Sequence, residues 1–406
     1  MRRDFSAVQF RYDGAKGVVS VHPDMRPNIH LCIRDSMKKF DSNHECFEVC
    51  KLSAPRPLFL NRQAILLLSY RQVPDASFLI LQQQNHLELI RGLLRNDDAE
   101  KQILQKVPSW FLPTGIHKAN IDYIHEPFFR QLLISSCLQS MRELLRRTRI
   151  RVPQNEGRNM IGIIDEYGVL REGEVYIQYT ILSSNRRDDY NTDKKTKVLD
   201  NRRVVITKNP CHHPGDIRTF TAVNYPQLKH LKDVVVFSQH GKRPAPHDIS
   251  GSDLDGDEYL VLWHEDLVPY KTENATPYDY DTGAPVNPKP FPDPIERDHI
   301  NDTILSIAEQ DCLGRLSNLH LAYADKFGVD SDKKPRPGVL STIKLAGAIS
   351  LEVDSGKTGY HPLTENDIKE QNNALDNERP DFMDNPNFKQ YQSQGILGKR
   401  YSCTVL

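Results

Sequence analysis

The sequence predicts an α+β protein in which strand-rich and helical blocks alternate and the second strand-rich block closes into a barrel. Three observations lead there. Residues 1–72 and 151–268 hold short β-branched and aromatic runs between turn signals, whereas 73–150 and 269–406 place apolar residues mainly at helical spacing. Six candidate strands crowd into 151–265 with irregular crossings, as a closed or nearly closed barrel requires. The last of those crossings carries Ser250-Gly251-Ser252-Asp253-Leu254-Asp255-Gly256-Asp257-Glu258, with three aspartates at every second position.

In the first block, residues 8–12 alternate, Asp13-Gly14 turns the chain, and 17–21 resume; 28–33, 45–52 and 65–69 read as further strands. Lys16 lies in the turn Gly14-Ala15-Lys16-Gly17. The alternation at 8–12 has no partner before it, so we expect a partial domain: a fragment, an isoform or an incomplete gene model. Expressed alone, such a chain is expected to be weakly active and prone to associate through its open strand edge.

In the second block Asp75 caps a helix whose apolar positions include Phe78, Leu81, Leu87, Ile90 and Leu94. A second helix is expected over 97–106 and a third over 128–150, with Leu132, Leu133, Cys137, Met141, Leu144 and Leu145 on one face. The third ends in Arg142, Arg146, Arg147, Arg149 and Arg151. Two readings stay open here: cations that complement the helix macrodipole on a solvated face, or a patch that contacts phosphates.

The six barrel strands are expected at 160–165, 174–181, 203–208, 217–223, 234–238 and 259–263. Residues 185–197 read as a polar surface loop, and Pro210, His213, Pro214 and Gly215 as a rigid turn. A Pro-rich crossing over 272–294 should run extended over the surface, followed by helices at 297–310, 315–327 and 341–352. Lys357 then sits between Gly356 and Gly359, and beyond 366 the polar composition predicts a weakly structured tail.

The acidic stretch has the clearest chemistry. In extended backbone, Asp253, Asp255 and Asp257 leave on one side with Cα atoms roughly 7 Å apart. Their charges repel, and a hard divalent cation, Mg²⁺ or Mn²⁺, removes that penalty. An Asp-rich surface turn is the competing reading. An EF-hand loop fails, because its sixth and twelfth positions hold Glu258 and His264 instead of Gly and Glu. Gly251 and Gly256 let the backbone bend sharply and a ligand come close.

Composition narrows the class further. The 406 residues are 38% hydrophobic and 26% charged with a net charge of −1, so any site for a polyanion is a local patch. No apolar run of 18 residues or signal segment is present, and no membrane partner is expected. The seven cysteines are scattered without a Cys-x-x-Cys pair, which suits reduced thiols of the cytosol or nucleus. Neither His44, Cys46 and Cys50 nor Cys211-His212-His213 has the second pair that a zinc site needs.

Several further stretches stand in a fixed order. They are Arg11-Tyr12-Asp13-Gly14-Ala15-Lys16-Gly17, Arg34-Asp35-Ser36-Met37-Lys38-Lys39-Phe40, Leu60-Asn61-Arg62-Gln63, and Ile161-Gly162-Ile163-Ile164-Asp165-Glu166-Tyr167-Gly168-Val169-Leu170. Lys208-Asn209-Pro210-Cys211-His212-His213-Pro214-Gly215-Asp216-Ile217-Arg218, the Asp cluster, and Val353-Asp354-Ser355-Gly356-Lys357-Thr358-Gly359 follow. In these motifs the chain resembles the eukaryotic cellular RNA-dependent RNA polymerases of RNA silencing. The resemblance implies two facing double-psi β-barrels, one supplying lysines and the other the metal-binding aspartates. Residues 1–72 would then be the C-terminal part of a truncated first barrel, 73–150 a helical connector, 151–268 the second barrel, and 269–406 a mainly helical neck or head region with a polar tail. Family members normally have a substantial segment before the Gly-Ala-Lys-Gly turn; here only residues 1–13 precede it.

The function implied is template-directed RNA synthesis from nucleoside triphosphates for silencing and small interfering RNA production. Asp253, Asp255 and Asp257 would hold Mg²⁺ (or Mn²⁺) at the primer 3′-hydroxyl, and a second ion would arrive with the triphosphate. Lys16 and Lys357 would neutralise triphosphate or template charge; the plain alternative for each is an exposed turn lysine. Arg11 and Arg218 are weaker candidates, and Arg146, Arg147 and Arg149 would face the RNA backbone. Implied partners are RNA template and product, nucleoside triphosphates and Dicer or Argonaute pathway proteins, in cytoplasm or nucleus and in RNA–protein granules. Two other readings remain open: a noncatalytic RNA-binding homologue in a silencing complex, and a DNA-dependent polymerase-like enzyme with the same aspartates.

Overall fold

The computed structural model describes residues 5–106, 121–181, 195–271, 273–280, 294–332, 334, 336, 338–358 and 360–405. The chain begins with a hairpin, β1 (Ala7–Tyr12) and β2 (Ala15–Ser20), turned by Asp13 and Gly14, both at positive φ. β3 (Glu48–Leu52) adds to the other side of β1, giving a three-stranded sheet in the order β2-β1-β3. Its register places Arg11 opposite Lys16 and Gln9 opposite Lys51, so these four side chains share one face. Of the other strands expected in this block, 28–33 is irregular and exposed, and 45–52 is strand only from Glu48.

Two short strands, β4 (Arg56–Pro57) and β5 (Phe59–Leu60), lead into α1 (Arg62–Tyr70). Residues 65–69, expected as a strand, are therefore helical. The Asn61 side chain accepts the Ala64 N–H at 2.8 Å as an N-cap, and Ala64, Ile65, Leu67 and Leu68 are buried on one face. A short apolar run does not by itself distinguish strand from buried helix, and here the cap and the burial face decide. α2 (Asp75–Leu94), α3 (Asn96–Lys106) and α4 (Pro127–Arg147) make the helical block, close to the ranges expected.

After β6 (Ile150–Arg151), which pairs with β5, come β7 (Gly157–Ile164), β8 (Glu174–Thr180), β9 (Thr196–Val198), β10 (Arg202–Lys208), β11 (Arg218–Ala222), β12 (Val234–Phe237) and β13 (Glu258–Leu262). Six of them close on themselves in the ring β7-β12-β8-β11-β10-β13. The pairs β7–β12 and β8–β11 are parallel and the rest antiparallel. This is the closed barrel that the strand pattern anticipated, in the double-psi form that the resemblance implied. One set of alternating side chains, including Met160, Ile177, Val204, Phe220, Val235, Tyr259 and Trp263, packs into one core. The other faces are covered too. Ile161, Ile163, Tyr176, Val234 and Val236 pack with Ala7 and Val18 of the first sheet, and Val205, Leu260 and Leu262 pack with α1 and α2. Burial on both faces explains why these strands are almost continuously apolar.

Most of the expected polar loop at 185–197 lies outside the described residues, as do 272 and 281–293 of the Pro-rich crossing. The described part of that crossing, 273–280, does more than cover the surface: the rings of Tyr278 and Tyr280 meet at a tilt, 5.0 Å apart, between barrel and helices. Then follow α5 (Arg297–Gln310), α6 (Leu313–Phe327), α7 (Thr342–Val353) and the single turn α8 (Ser355–Thr358). The tail is folded, contrary to its polar composition. It forms α9 (Glu365–Ala374), a parallel pair β14 (Glu378–Pro380) and β15 (Lys389–Tyr391), and α10 (Ile396–Val405). Ile368, Leu375, Phe382, Ile396 and Leu397 supply enough buried apolar surface to order it.

Candidate metal centre

The three aspartates sit in the connection from β12 to β13, immediately before β13, at the mouth of the barrel. One carboxylate oxygen from each lies within 4.8 Å of the others. Two backbone features bring them together. Ser250 and Gly251 both take positive φ, and Gly251 packs its Cα face against the ring of Tyr280, where an added Cβ would stand 3.2 Å from the ring. Gly256, at φ +129°, leaves room for the Gln9 side chain, which donates from Nε2 to the Asp255 carbonyl at 3.0 Å. Within the loop the Asp253 N–H donates to Asp257 Oδ2 and the Asp255 N–H to Asp253 Oδ1, both at 3.3 Å. Behind them the buried Tyr259 hydroxyl contacts Ser252 Oγ at 2.7 Å and donates to the Asp253 carbonyl at 3.3 Å.

The first sheet presents its polar face to this loop. Lys16 Nζ lies 2.6 Å from Asp255 Oδ2, and Lys51 Nζ donates to the Gly256 carbonyl at 3.4 Å. Arg11 is on the same face beside Lys16 and is exposed. From the barrel itself, Lys208 at the end of β10 places Nζ 2.7 Å from Asp257 Oδ2. Opposite the aspartates, Ala346, Ile349, Ser350 and Val353 of α7 and the following Asp354 form the other wall of a cleft of about 210 Å³. Pro210, His212, Asp216 and Tyr280 also line it.

The turn at 213–216 is architectural. Asp216 is buried and accepts the backbone N–H groups of His212 and His213 at 2.8 and 2.9 Å and the Tyr280 hydroxyl at 2.6 Å. Burial pushes its pKa up, and those three donors oppose the rise. Tyr278 reaches Gly347 of α7, whose missing Cβ leaves room for its hydroxyl, and its ring lies 5.3 Å from that of His213. His212 continues inward to Ser317 Oγ of α6 at 2.9 Å and the ring of His320 at 4.9 Å; burial lowers the His212 pKa to about 4. The crossing at 273–280 is thus a strap that fixes α7 over the aspartates.

The donor set fits a divalent cation. It consists of hard carboxylate oxygens only, and loss of water around Asp253, followed by the charges of Asp255 and Asp257, raises the Asp253 pKa even though the residue as a whole is exposed. A raised folded-state pKa contributes stability that is fully present below the ordinary aspartate value and lost as pH rises through the raised one. Metal-free protein is therefore expected to stabilise as pH falls through that window, and Asp253→Asn to be at least as stable as wild type at neutral pH. Adding Mg²⁺ at a hundred times its Kd should stabilise wild type by about 2.7 kcal/mol and leave Asp253→Asn unchanged. Thermal melts with and without Mg²⁺ check this; a variant that still responds to the ion would remove Asp253 from the centre.

The remaining candidates are distributed differently. Lys357 lies in α8, one turn beyond the cleft wall, and its side chain falls outside the described residues. Arg218 is occupied: its guanidinium pairs with Asp248 Oδ2 at 3.3 Å and donates to the Ala275 carbonyl at 3.3 Å, tying β11 to the strap. Burial lowers its pKa. Arg149 is exposed but pairs with Glu143 at 3.2 Å and lies over the Phe59 ring at 4.5 Å; Arg146 and Arg147 are exposed as well. None of the three lines the cleft. The groups that meet the carbonyls at the end of α4 are Arg62 and Arg400, brought from elsewhere in the chain. Lys208 was quoted only as part of a motif, and Gln9, Lys51 and Tyr280 carried no signal of their own. Lys208 could have been noticed as the cation opening the Asn209-Pro210 motif, and the other three become visible only by contact.

A family model described as RNA dependent RNA polymerase matches residues 2–402. A probable RNA-dependent RNA polymerase of rice, SHL2, is 35% identical over 411 residues, covering 98% of this chain and 32% of the relative. RNA-dependent RNA polymerase 2 of Arabidopsis thaliana is 35% identical over 407 residues, with 98% and 34% covered. RNA-dependent RNA polymerase 1 of Schizosaccharomyces pombe is 30% identical over 430 residues, with 97% and 33% covered. The chain thus spans about a third of the length of these relatives. Among solved structures, the RNA dependent RNA polymerase QDE-1 from Thielavia terrestris superposes with a TM-score of 0.69 at 19% identity, covering all of this chain and 48% of that one.

Proposed function

The chain belongs to the RNA-dependent RNA polymerase family, and from that premise we propose that it carries the nucleotidyl-transfer centre of an enzyme that copies RNA from RNA. The observation that carries the reading is the convergence of Asp253, Asp255 and Asp257 within 4.8 Å, with Lys16 and Lys208 against two of them. A divalent cation on these carboxylates, Mg²⁺ or Mn²⁺, supplies the charge that lets a 3′-hydroxyl attack and pyrophosphate leave. The chain's own groups do the rest. The Gly251 and Gly256 bends, Gln9 and Tyr259 hold the three carboxylates in register. Lys16 and Lys208 limit their mutual repulsion. The α7 wall confines the reacting groups to a narrow cleft, because phosphoryl transfer depends mainly on position and charge. The three-stranded sheet β2-β1-β3, which brings Lys16 and Arg11 to the centre, is then the described part of the lysine-bearing barrel.

The test is incorporation of labelled nucleoside triphosphates on an RNA template in Mg²⁺, with DNA template and no template beside it. RNA-dependent synthesis supports the reading. Synthesis only on DNA would move the enzyme to the DNA-templated class, and RNA binding without synthesis would make the chain a noncatalytic homologue. Action in RNA silencing, with Dicer or Argonaute proteins as partners and residence in cytoplasm, nucleus or RNA–protein granules, is part of the same proposal. It draws support from the family membership.

RNA is expected to bind through local positive charge. Arg146 and Arg147, exposed at the end of α4, belong to the part of the basic cluster open to solvent, as does Arg142 one turn earlier. Changing both to Glu should weaken single-stranded RNA binding at least tenfold at low salt and reduce the slope of log K against log salt by about 1.4, two phosphate contacts at 0.7 each. A salt titration of both proteins reads this, and an unchanged slope would leave the cluster as a solvated helix end.

A further inference from the structure

We propose that Lys208 couples metal binding to nucleotide binding: it is the counter-ion of Asp257 while no nucleotide is bound, and passes to the triphosphate when one arrives. The proposal rests on the reading of the aspartates as the metal centre of a nucleotidyl transferase. Lys208 Nζ is 2.7 Å from Asp257 Oδ2, and that same oxygen accepts the Asp253 N–H at 3.3 Å. One oxygen of Asp257 is therefore committed before any cation enters. The pair is also sheltered. The side chains of Lys208 and Asp257 are 19% and 23% exposed, against 42% and 31% for Lys16 and Asp255, so solvent screens the Lys208 pair less.

The cleft places this lysine where a triphosphate would meet it. Among the described charged residues that line the cleft, Asp216, Asp253, Asp255, Asp257 and Asp354 are carboxylates and Lys208 is the cation. A polyanion entering there is repelled by these carboxylates and attracted by the Lys208 ammonium, with Lys16, the partner of Asp255, adding to the attraction. Two effects then act on a divalent ion at the aspartates. The ammonium repels it and holds one of its ligand oxygens, which weakens binding. It also orders the Asp257 side chain, which favours binding by the entropy of one short rotamer. The Coulomb effect at these separations is the larger. When the triphosphate draws Lys208 away, Asp257 is released to the metal. By linkage, metal and nucleotide each strengthen the other.

The test uses two affinities measured on the same proteins. Mn²⁺ alone is titrated by electron paramagnetic resonance into wild type, Lys208→Gln, Lys208→Arg and Asp255→Asn. A non-hydrolysable nucleoside triphosphate is then titrated in saturating Mg²⁺. Lys208→Gln is expected to bind Mn²⁺ about tenfold more tightly and the triphosphate about tenfold more weakly, with Lys208→Arg close to wild type in both. A salt bridge that merely supported the loop would, on removal, weaken both affinities together, and that result overturns the proposal. So does unchanged Mn²⁺ affinity in Lys208→Gln. The Asp255→Asn protein separates the two levels. If wild type shows no Mn²⁺ binding that this variant abolishes, the metal-centre reading itself falls, and the role of Lys208 with it.

Discussion

Asp255→Asn and Asp257→Asn are each expected to lower nucleotide incorporation by at least about a thousandfold while leaving the chain folded. The rate effect is large because an amide keeps the shape of the carboxylate and loses the charge that holds the cation. Without that ion the cleft is lined by carboxylates that repel a triphosphate. The stability effect is small for a separate reason. Lys16–Asp255 and Lys208–Asp257 are partly exposed ion pairs, each worth about 0–1 kcal/mol, and removing one carboxylate also relieves repulsion among the three. The measurement is incorporation on an RNA template in Mg²⁺, with the variant placed in a protein already shown to be active, alongside its thermal melt. Turnover near the wild-type rate would sink the assignment of these residues; a large drop in melting temperature would make any loss of rate uninformative.

The largest loss of stability is expected at Arg400. Its guanidinium is wholly buried and donates to the Leu144 and Leu145 carbonyls at the end of α4, and to Gln82 Oε1 of α2 at 3.4 Å. Burial lowers its pKa to about 10, so it stays charged at neutral pH. Its partner there is the partial negative charge at the α4 C-terminus. Arg62, donating to the Phe382 carbonyl at 2.9 Å and to that of Arg146, is its neighbour in this role. Arg400→Met keeps the volume and removes the donors, leaving the carbonyls buried without partners. The expected cost is about 3–5 kcal/mol, since hydrogen bonds from a charged donor contribute about 1.5–3 kcal/mol each and do not add fully. Urea denaturation is the measurement, and hydrogen exchange should show α10 and the end of α4 opening together. A variant within about 0.5 kcal/mol of wild type, the range of an ordinary surface change, would show that water or a rearranged neighbour satisfies those carbonyls.

The basic cluster shows how one motif divides between two roles. Arg142, Arg146, Arg147, Arg149 and Arg151 are contiguous in sequence, and both the dipole and the phosphate readings were available from their position at a helix end. The structure gives the capping of α4 to Arg62 and Arg400, residues far away in the chain, and engages Arg149 with Glu143 and Phe59. Arg142, Arg146 and Arg147 are left exposed to solvent. The strand reading of 65–69 failed for a related reason. Ile65, Leu66, Leu67 and Leu68 are apolar in succession, which suits a buried strand or a buried helix equally, and the deciding group was the Asn61 cap. The tail was misread from composition, because a few well-placed apolar side chains such as Phe382 and Leu397 outweigh many polar ones at the surface.

By itself the sequence determined what depends on neighbours along the chain. The six barrel strands were legible because burial on both faces makes them short apolar runs between turns. The acidic stretch was legible because three aspartates at every second position repel one another unless they share a cation. The bends at 254–256 and the positive φ of Ser250, Gly251 and Gly256, which bring their carboxylates within 4.8 Å, were not. Tertiary structure alone decided what surrounds them. Gln9, Lys16 and Lys51 reach the aspartate loop from another sheet, and Lys208 from the end of β10. Tyr280 reaches it from the strap, and the apolar face of α7 closes the cleft from nearly a hundred residues further on. Such contacts leave no periodicity in the sequence, because a hydrogen bond or ion pair selects for distance in space, and the fold sets that distance without regard to separation along the chain.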